Sequence, residues 1–154
     1  MGKEDGNRMN ILILNGSPRP KGSTRQMIDA FREGAVSAGH TVKIADVCKK
    51  KIGGCLACEY CHTKGKGECV QKDDMQQIYT LLGDAQMLVI ASPIYYHGIS
   101  GQLKCAIDRF YSAAYPVGPS NLKKVAMILS SGDPDMYEGA LKDSNYSEIW
   151  LLHK

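Results

Sequence analysis

The chain has 154 residues, of which 44% are hydrophobic and 23% charged, and a formal net charge of +3. That is the size of one domain with enough apolar surface to bury a core without disulfides, and the charge is too slight to argue for a nucleic-acid partner. No apolar run nears the roughly 20 residues that span a bilayer, which argues against a membrane partner. The polar opening MGKEDGNRMN also lacks a signal-peptide core, so the chain is expected in the cytoplasm, where thiols stay reduced.

Residues 1–9 read as a disordered leader and 10–154 as a single domain. Residues 11–14 are apolar without polar alternation, as in a strand buried on both faces of a parallel sheet. A loop follows, and Ser23-Thr24-Arg25-Gln26 fits a capping box with Ser23 as N-cap and Gln26 reaching back. Met27, Ile28, Phe31, Ala35 and Ala38 then recur at helical spacing up to Gly39. A β-branched second strand is expected over 41–47, a cysteine-rich loop over 48–72, and a helix from Asp74. Residues 87–92 read as a third buried strand, 101–113 as a helix and 123–131 as a fourth strand. A short helix over 136–142 and a stunted fifth strand over 149–152 complete the pattern.

Alternating strands and helices predict an open α/β sheet with parallel strands, in which ligands bind outside the carboxyl ends of the strands. The loops after Leu14, Ser92 and Leu129 are therefore expected to converge. The first loop joins a strand to a helix N-terminus, where free N–H groups and the helix dipole favour an anion. Ser17, Ser23 and Thr24 add hydroxyls, and Arg19, Lys21 and Arg25 add positive charge. Lys21 precedes Gly22, so this is no nucleotide-triphosphate loop, and a Gly-x-Gly-x-x-Gly fingerprint is absent. The second loop, SPIYYHGISG, offers Tyr95 or Tyr96 to a flat ring and glycines for close approach. The third offers small donors at Ser130, Ser131 and Gly132. A phosphate plus a planar ring points to FMN.

Cysteines 55, 58, 61 and 69 are spaced as in iron–sulfur proteins, with three thiols on one short segment and a fourth farther off. A 4Fe–4S cluster on Cys55, Cys58, Cys61 and Cys69 therefore stands beside a structural loop that holds no metal. A zinc site recruiting His62, or a Cys55/Cys58 dithiol, fits the spacing less well. Cys48 and Cys105 read as buried or half-buried thiols.

NGSPRPKGST, the cysteine loop running into KDDM and SPIYYHGISGQLKCAIDRF together resemble the flavodoxin-like NAD(P)H-dependent FMN reductases, including the iron–sulfur flavoproteins. The resemblance implies a doubly wound parallel sheet of order 2-1-3-4-5, here with the fifth strand short or missing. It implies FMN, with NAD(P)H as co-substrate, and a small flavin or quinone acceptor or a ferredoxin-like donor. The expected assembly is a homodimer or homotetramer. Carried over by position, Ser17, Arg19, Ser23 and Thr24 hold the phosphate, Pro93, Ile94, Tyr95, Tyr96 and Gly98 border the ring, and Ser130, Ser131 and Gly132 close the site. No catalytic residue is nominated, because the cofactor carries the redox chemistry; Tyr96 and His97 are supporting groups only. The leading expectation is an FMN-dependent NAD(P)H oxidoreductase. The alternatives are an iron–sulfur flavoprotein electron carrier and a non-catalytic flavin-binding module.

Overall fold

The computed structural model describes residues 8–143. The expected fifth strand and residues 1–7 of the expected leader lie outside them, whereas Arg8 and Met9 bond to Thr41 and His40. Four strands, β1 (Asn10–Asn15), β2 (Thr41–Asp46), β3 (Met87–Tyr95) and β5 (Lys124–Ser130), form a parallel sheet in the order β2-β1-β3-β5. This is the doubly wound flavodoxin-like order. Between β3 and β5 in sequence, the two-residue strand β4 (Gly98–Ile99) folds back antiparallel on the end of β3.

The unbroken apolar run of β1 has a simple cause. Ile11 and Ile13 face a core shared with Ile28 of α1 (Ser23–Ser37), while Leu12 and Leu14 face the opposite core. That second core contains Met75, Ile78 and Leu82 of α2 (Met75–Asp84) and Leu103 and Ala106 of α3 (Gly101–Asp108). A strand with helices on both sides has no solvent face and so no polar alternation. Each fully buried Leu or Ile here contributes about 1.5–3 kcal/mol.

Three local expectations are corrected. The capping box does not form: Gly22 is the N-cap of α1, no side chain caps it, and Gln26 reaches the Lys21 carbonyl instead. The helix over 101–113 breaks at Arg109 into α3 and α4 (Phe110–Ala113). The third strand runs past Ser92 through Pro93 to Tyr95, because the β4 hairpin extends its pairing. A short helix near the end is found, as α5 (Tyr137–Asp143). Among the described residues no helix is long and apolar enough to cross a membrane.

Candidate functional site

The carboxyl ends of β1, β3 and β5 border a cleft of about 230 Å³. Its walls are Ser17, Arg19, Gly22, Ser23 and Thr24 from the first loop, Pro93, Ile94 and Tyr95 from β3, and Ser130, Ser131 and Gly132 from the third. All the sequence-nominated cofactor residues line it except Tyr96 and Gly98, which form the turn and return strand of the adjoining hairpin.

The chain has built this cleft with care at its floor. A Cβ on Gly16 would lie 2.8 Å from Leu103 and from Ser100 Oγ, so only glycine lets β1 pass so close to α3. Gly16 N–H donates to the Ala91 carbonyl at 2.8 Å, and the Cys48 thiol donates to the Gly16 carbonyl at 3.0 Å. Ser17 N–H donates to Asn15 Oδ1, and the Asn15 amide donates to Asp46. Thr24 and Ser130 are tied hydroxyl to hydroxyl at 2.7 Å, which joins the first loop to the third. Arg25 points elsewhere, into ion pairs with Asp29 and Asp46. That leaves Arg19 as the guanidinium on the cleft wall. The first turn of α1 carries no acidic residue and no capping side chain, so its N–H groups face the cleft end free for an anion.

The second loop holds its shape under strain. Tyr96 (φ 49°) and His97 (φ 68°) are both left-handed, the geometry of a two-residue turn that ordinarily takes Asn-Gly. Tyr96 is 97% exposed. His97 is backed by α5, whose Gly139 would place a Cβ 3.7 Å from the imidazole.

The cysteine loop lines a pocket that shares no residue with the cleft. Cys55, Cys58, Cys61 and Cys69 line one small pocket together with Arg109, Tyr111 and Ser112. Ala57 N–H donates to Cys55 Sγ at 3.4 Å, and Ala57 and Glu59 are both left-handed. Burial pushes the Cys61 thiol up, and the neighbouring Cys69, Cys55 and Cys58 push it further in the same direction. His62 takes no part. It stacks on Tyr111 at 4.0 Å and bonds to the Tyr111 carbonyl, outside the pocket. A larger cavity of about 520 Å³ lies between α2, α4 and residues 117–120. It is away from the strand ends where α/β sheets bind ligands, so it does not displace the cleft as the candidate site.

Residues 9–143 match the family described as NADPH-dependent FMN reductase. The chain belongs to this family. An iron–sulfur flavoprotein of Archaeoglobus fulgidus is 38% identical over 101 residues, covering 66% of this chain and 45% of that protein. One from Methanocaldococcus jannaschii is 37% identical over 101 residues, covering 66% of this chain and 50% of its own length. The chain thus spans about half the length of the curated relatives it matches. In fold it is similar to an NAD(P)H:quinone oxidoreductase from Methanothermobacter marburgensis, with a TM-score of 0.69 and 24% identity over 92% of this chain and 72% of that one. An azoreductase from Bacillus anthracis gives 0.70 at 18% identity, over 93% of this chain and 81% of that one.

Within this FMN reductase family chain, the two groups that relatives suggest meet different surroundings. For FMN the fit is good: uncapped helix N–H groups, hydroxyls and Arg19 sit at one end of the cleft, with the apolar Pro93, Ile94 and the Tyr95 ring beside them. The thiols are a different case. They share a pocket, yet among the described residues no three His, Cys, Asp or Glu side chains come close enough to share one ion. A zinc ion holds sulfurs at about 2.3 Å, which packs the thiolates against one another. Four cysteine thiols on one pocket are the donor set that a 4Fe–4S cluster takes. Beside the thiols lies a buried Arg109 Nε–H that has no hydrogen-bond partner among the described residues.

Arg109 and its counter-ion were invisible as site residues in the sequence. Arg109 is 1% exposed and binds Asp73 through both terminal nitrogens, at 2.8 and 3.2 Å. Burial pushes the Asp73 carboxyl up, but the Arg109 guanidinium and the N–H groups of Gly53 and Met75 outweigh it and hold it below its ordinary value. The only sequence signals were an acidic pair before α2 and an Asp-Arg pair at the end of α3.

Proposed function

We propose that this domain binds FMN in the cleft at the ends of β1, β3 and β5 and passes electrons from NAD(P)H to a small flavin- or quinone-type acceptor. The convergence of three separate loops on one cleft, with an uncapped helix N-terminus at its polar end, carries this reading. Ser17, Arg19, Ser23 and Thr24 are assigned to the phosphate. Pro93, Ile94 and Tyr95 lie along the ring, Tyr96 and Gly98 edge it from the hairpin, and Ser130, Ser131 and Gly132 close the far side.

When bound, FMN supplies the hydride-accepting and electron-passing chemistry. The chain's part is physical. The free N–H groups of α1 and Arg19 neutralise the phosphate, and the Thr24–Ser130 bond holds the loops at fixed separation. The exposed Tyr96 leaves one side of the cleft open to a second planar substrate. A homodimer or homotetramer in the cytoplasm completes the proposal.

Adding FMN to the purified chain and following flavin fluorescence, then NADH and NADPH oxidation with a quinone, tests it. Saturable quenching followed by steady turnover is expected. Absence of FMN binding overturns the reading, and binding without turnover on any acceptor favours the flavin-binding module instead.

A second reading has its own observation. Four thiols around one pocket, beside a buried cation, favour an iron–sulfur flavoprotein in which a 4Fe–4S cluster on Cys55, Cys58, Cys61 and Cys69 exchanges electrons with a ferredoxin-like partner. Iron and sulfide assays after anaerobic reconstitution decide it.

A further inference from the structure

We propose that Arg109 donates its Nε–H to sulfur in the cysteine pocket and thereby raises the reduction potential of the cluster held there. The proposal rests on the iron–sulfur reading above and adds a residue to it.

A guanidinium carries five N–H groups. Four are accounted for: Nη1 donates to the Gly53 carbonyl at 2.9 Å and Asp73 Oδ2 at 2.8 Å, and Nη2 to Asp73 Oδ1 at 3.2 Å and the Gln71 carbonyl at 3.4 Å. The fifth, on Nε, is buried and has no partner among the described residues. Leaving a cationic donor dry and unpaired is costly, so such an atom points to a ligand.

Arg109 lines the pocket of the four thiols. The other polar neighbours there are already engaged. Glu59 accepts from the Tyr111 hydroxyl, Ser112 Oγ donates to the Gly67 carbonyl, and the Gln71 amide donates to the Gly54 carbonyl. Two kinds of acceptor remain near the guanidinium: sulfur in the pocket, and the Tyr79 hydroxyl, which donates to the Arg109 carbonyl at 3.0 Å and keeps its lone pairs. Gly53 and Gln71 also flank the cysteine segment on its two sides, so one side chain pins both ends of the loop and keeps a single hydrogen in reserve.

Hydrogen bonds and positive charge at cluster sulfurs favour the more negative, reduced state. Arg109→Lys keeps the charge and can still pair with Asp73, but it loses the Nε–H.

The test uses anaerobically reconstituted protein with iron and sulfide measured. Wild type grown on 15N-arginine is examined by pulsed EPR in the reduced state, and wild type and R109K are titrated by EPR-monitored potentiometry. Expected are bound iron, a 15N coupling to the cluster and a lower potential in R109K. Bound iron without a 15N coupling overturns the role of Arg109 and leaves the cluster reading standing, as does an R109K potential equal to that of wild type. Wild type that binds no iron overturns the cluster reading and this proposal with it. Should R109K not fold, the 15N measurement on wild type decides alone.

Discussion

Tyr96 and His97 sit in left-handed backbone, where an L side chain costs about 1–2 kcal/mol, and the chain accepts that cost at two successive positions. Strain of this kind persists only where surrounding structure over-determines it. Here the Tyr95–Gly98 pairing fixes one side and α5 backs His97 on the other. His97→Gly relieves the backbone but adds freedom to the unfolded chain, a loss of about 0.5–1 kcal/mol. The balance is a gain of about 0.5–1 kcal/mol in urea unfolding. The same change loosens the turn that carries Tyr96, so FMN affinity in the proposed cleft is expected to fall while stability rises. Affinity that rises together with stability would show that the turn is not preorganised for the ring.

At the scale of elements, the Arg109–Asp73 pair joins the break between α3 and α4 to the start of α2. Asp73 also accepts from Gly53 N–H and Met75 N–H, so its carboxylate meets the first N–H of α2, while Asp74 holds the N-cap position without a side-chain cap. Asp73→Asn leaves a buried guanidinium without its counter-charge, and a loss of about 3 kcal/mol is expected from urea unfolding at neutral pH. The pH dependence has a definite sign. The folded-state pKa of Asp73 lies below its ordinary value, so its stabilisation is whole above about pH 4 and is lost as pH falls through the folded value. Asp46 is displaced the same way: burial pushes it up, while Asn15, Lys49 and Arg25 hold it down. The stability of wild type should therefore drop on acidification below about pH 4, and less steeply in Asp73→Asn. These elements also show what the sequence could reveal. The strands were legible because β1 and β3 are buried on both faces and read as unbroken apolar runs. The capping box failed because Gly22, one residue earlier, takes the cap and leaves the N–H groups free. The hairpin at Tyr96 was not legible, since its turn lacks the Asn-Gly that marks such turns. Nor was the Arg109–Asp73 clamp, which joins residues 36 apart through a tertiary contact that no local spacing encodes.

At the scale of the whole molecule, the cleft and the cysteine pocket share no lining residue. The cleft is made from the ends of β1, β3 and β5, and the pocket from the segment before α2 together with Arg109 and α4. Sites without shared partners respond almost independently to substitution. Cys58→Ala is therefore expected to abolish iron uptake while leaving the FMN dissociation constant within about twofold of wild type. The exposed position of Cys58 makes the change easy for the fold to absorb, because no buried methylene is removed. Parallel iron assays and FMN fluorescence titrations on the two proteins check this. A loss of FMN affinity on the order of tenfold, about 1.4 kcal/mol, would mean that the cysteine segment shapes the flavin cleft. The loop would then serve the cleft mechanically, and electron delivery would no longer be needed to explain its thiols.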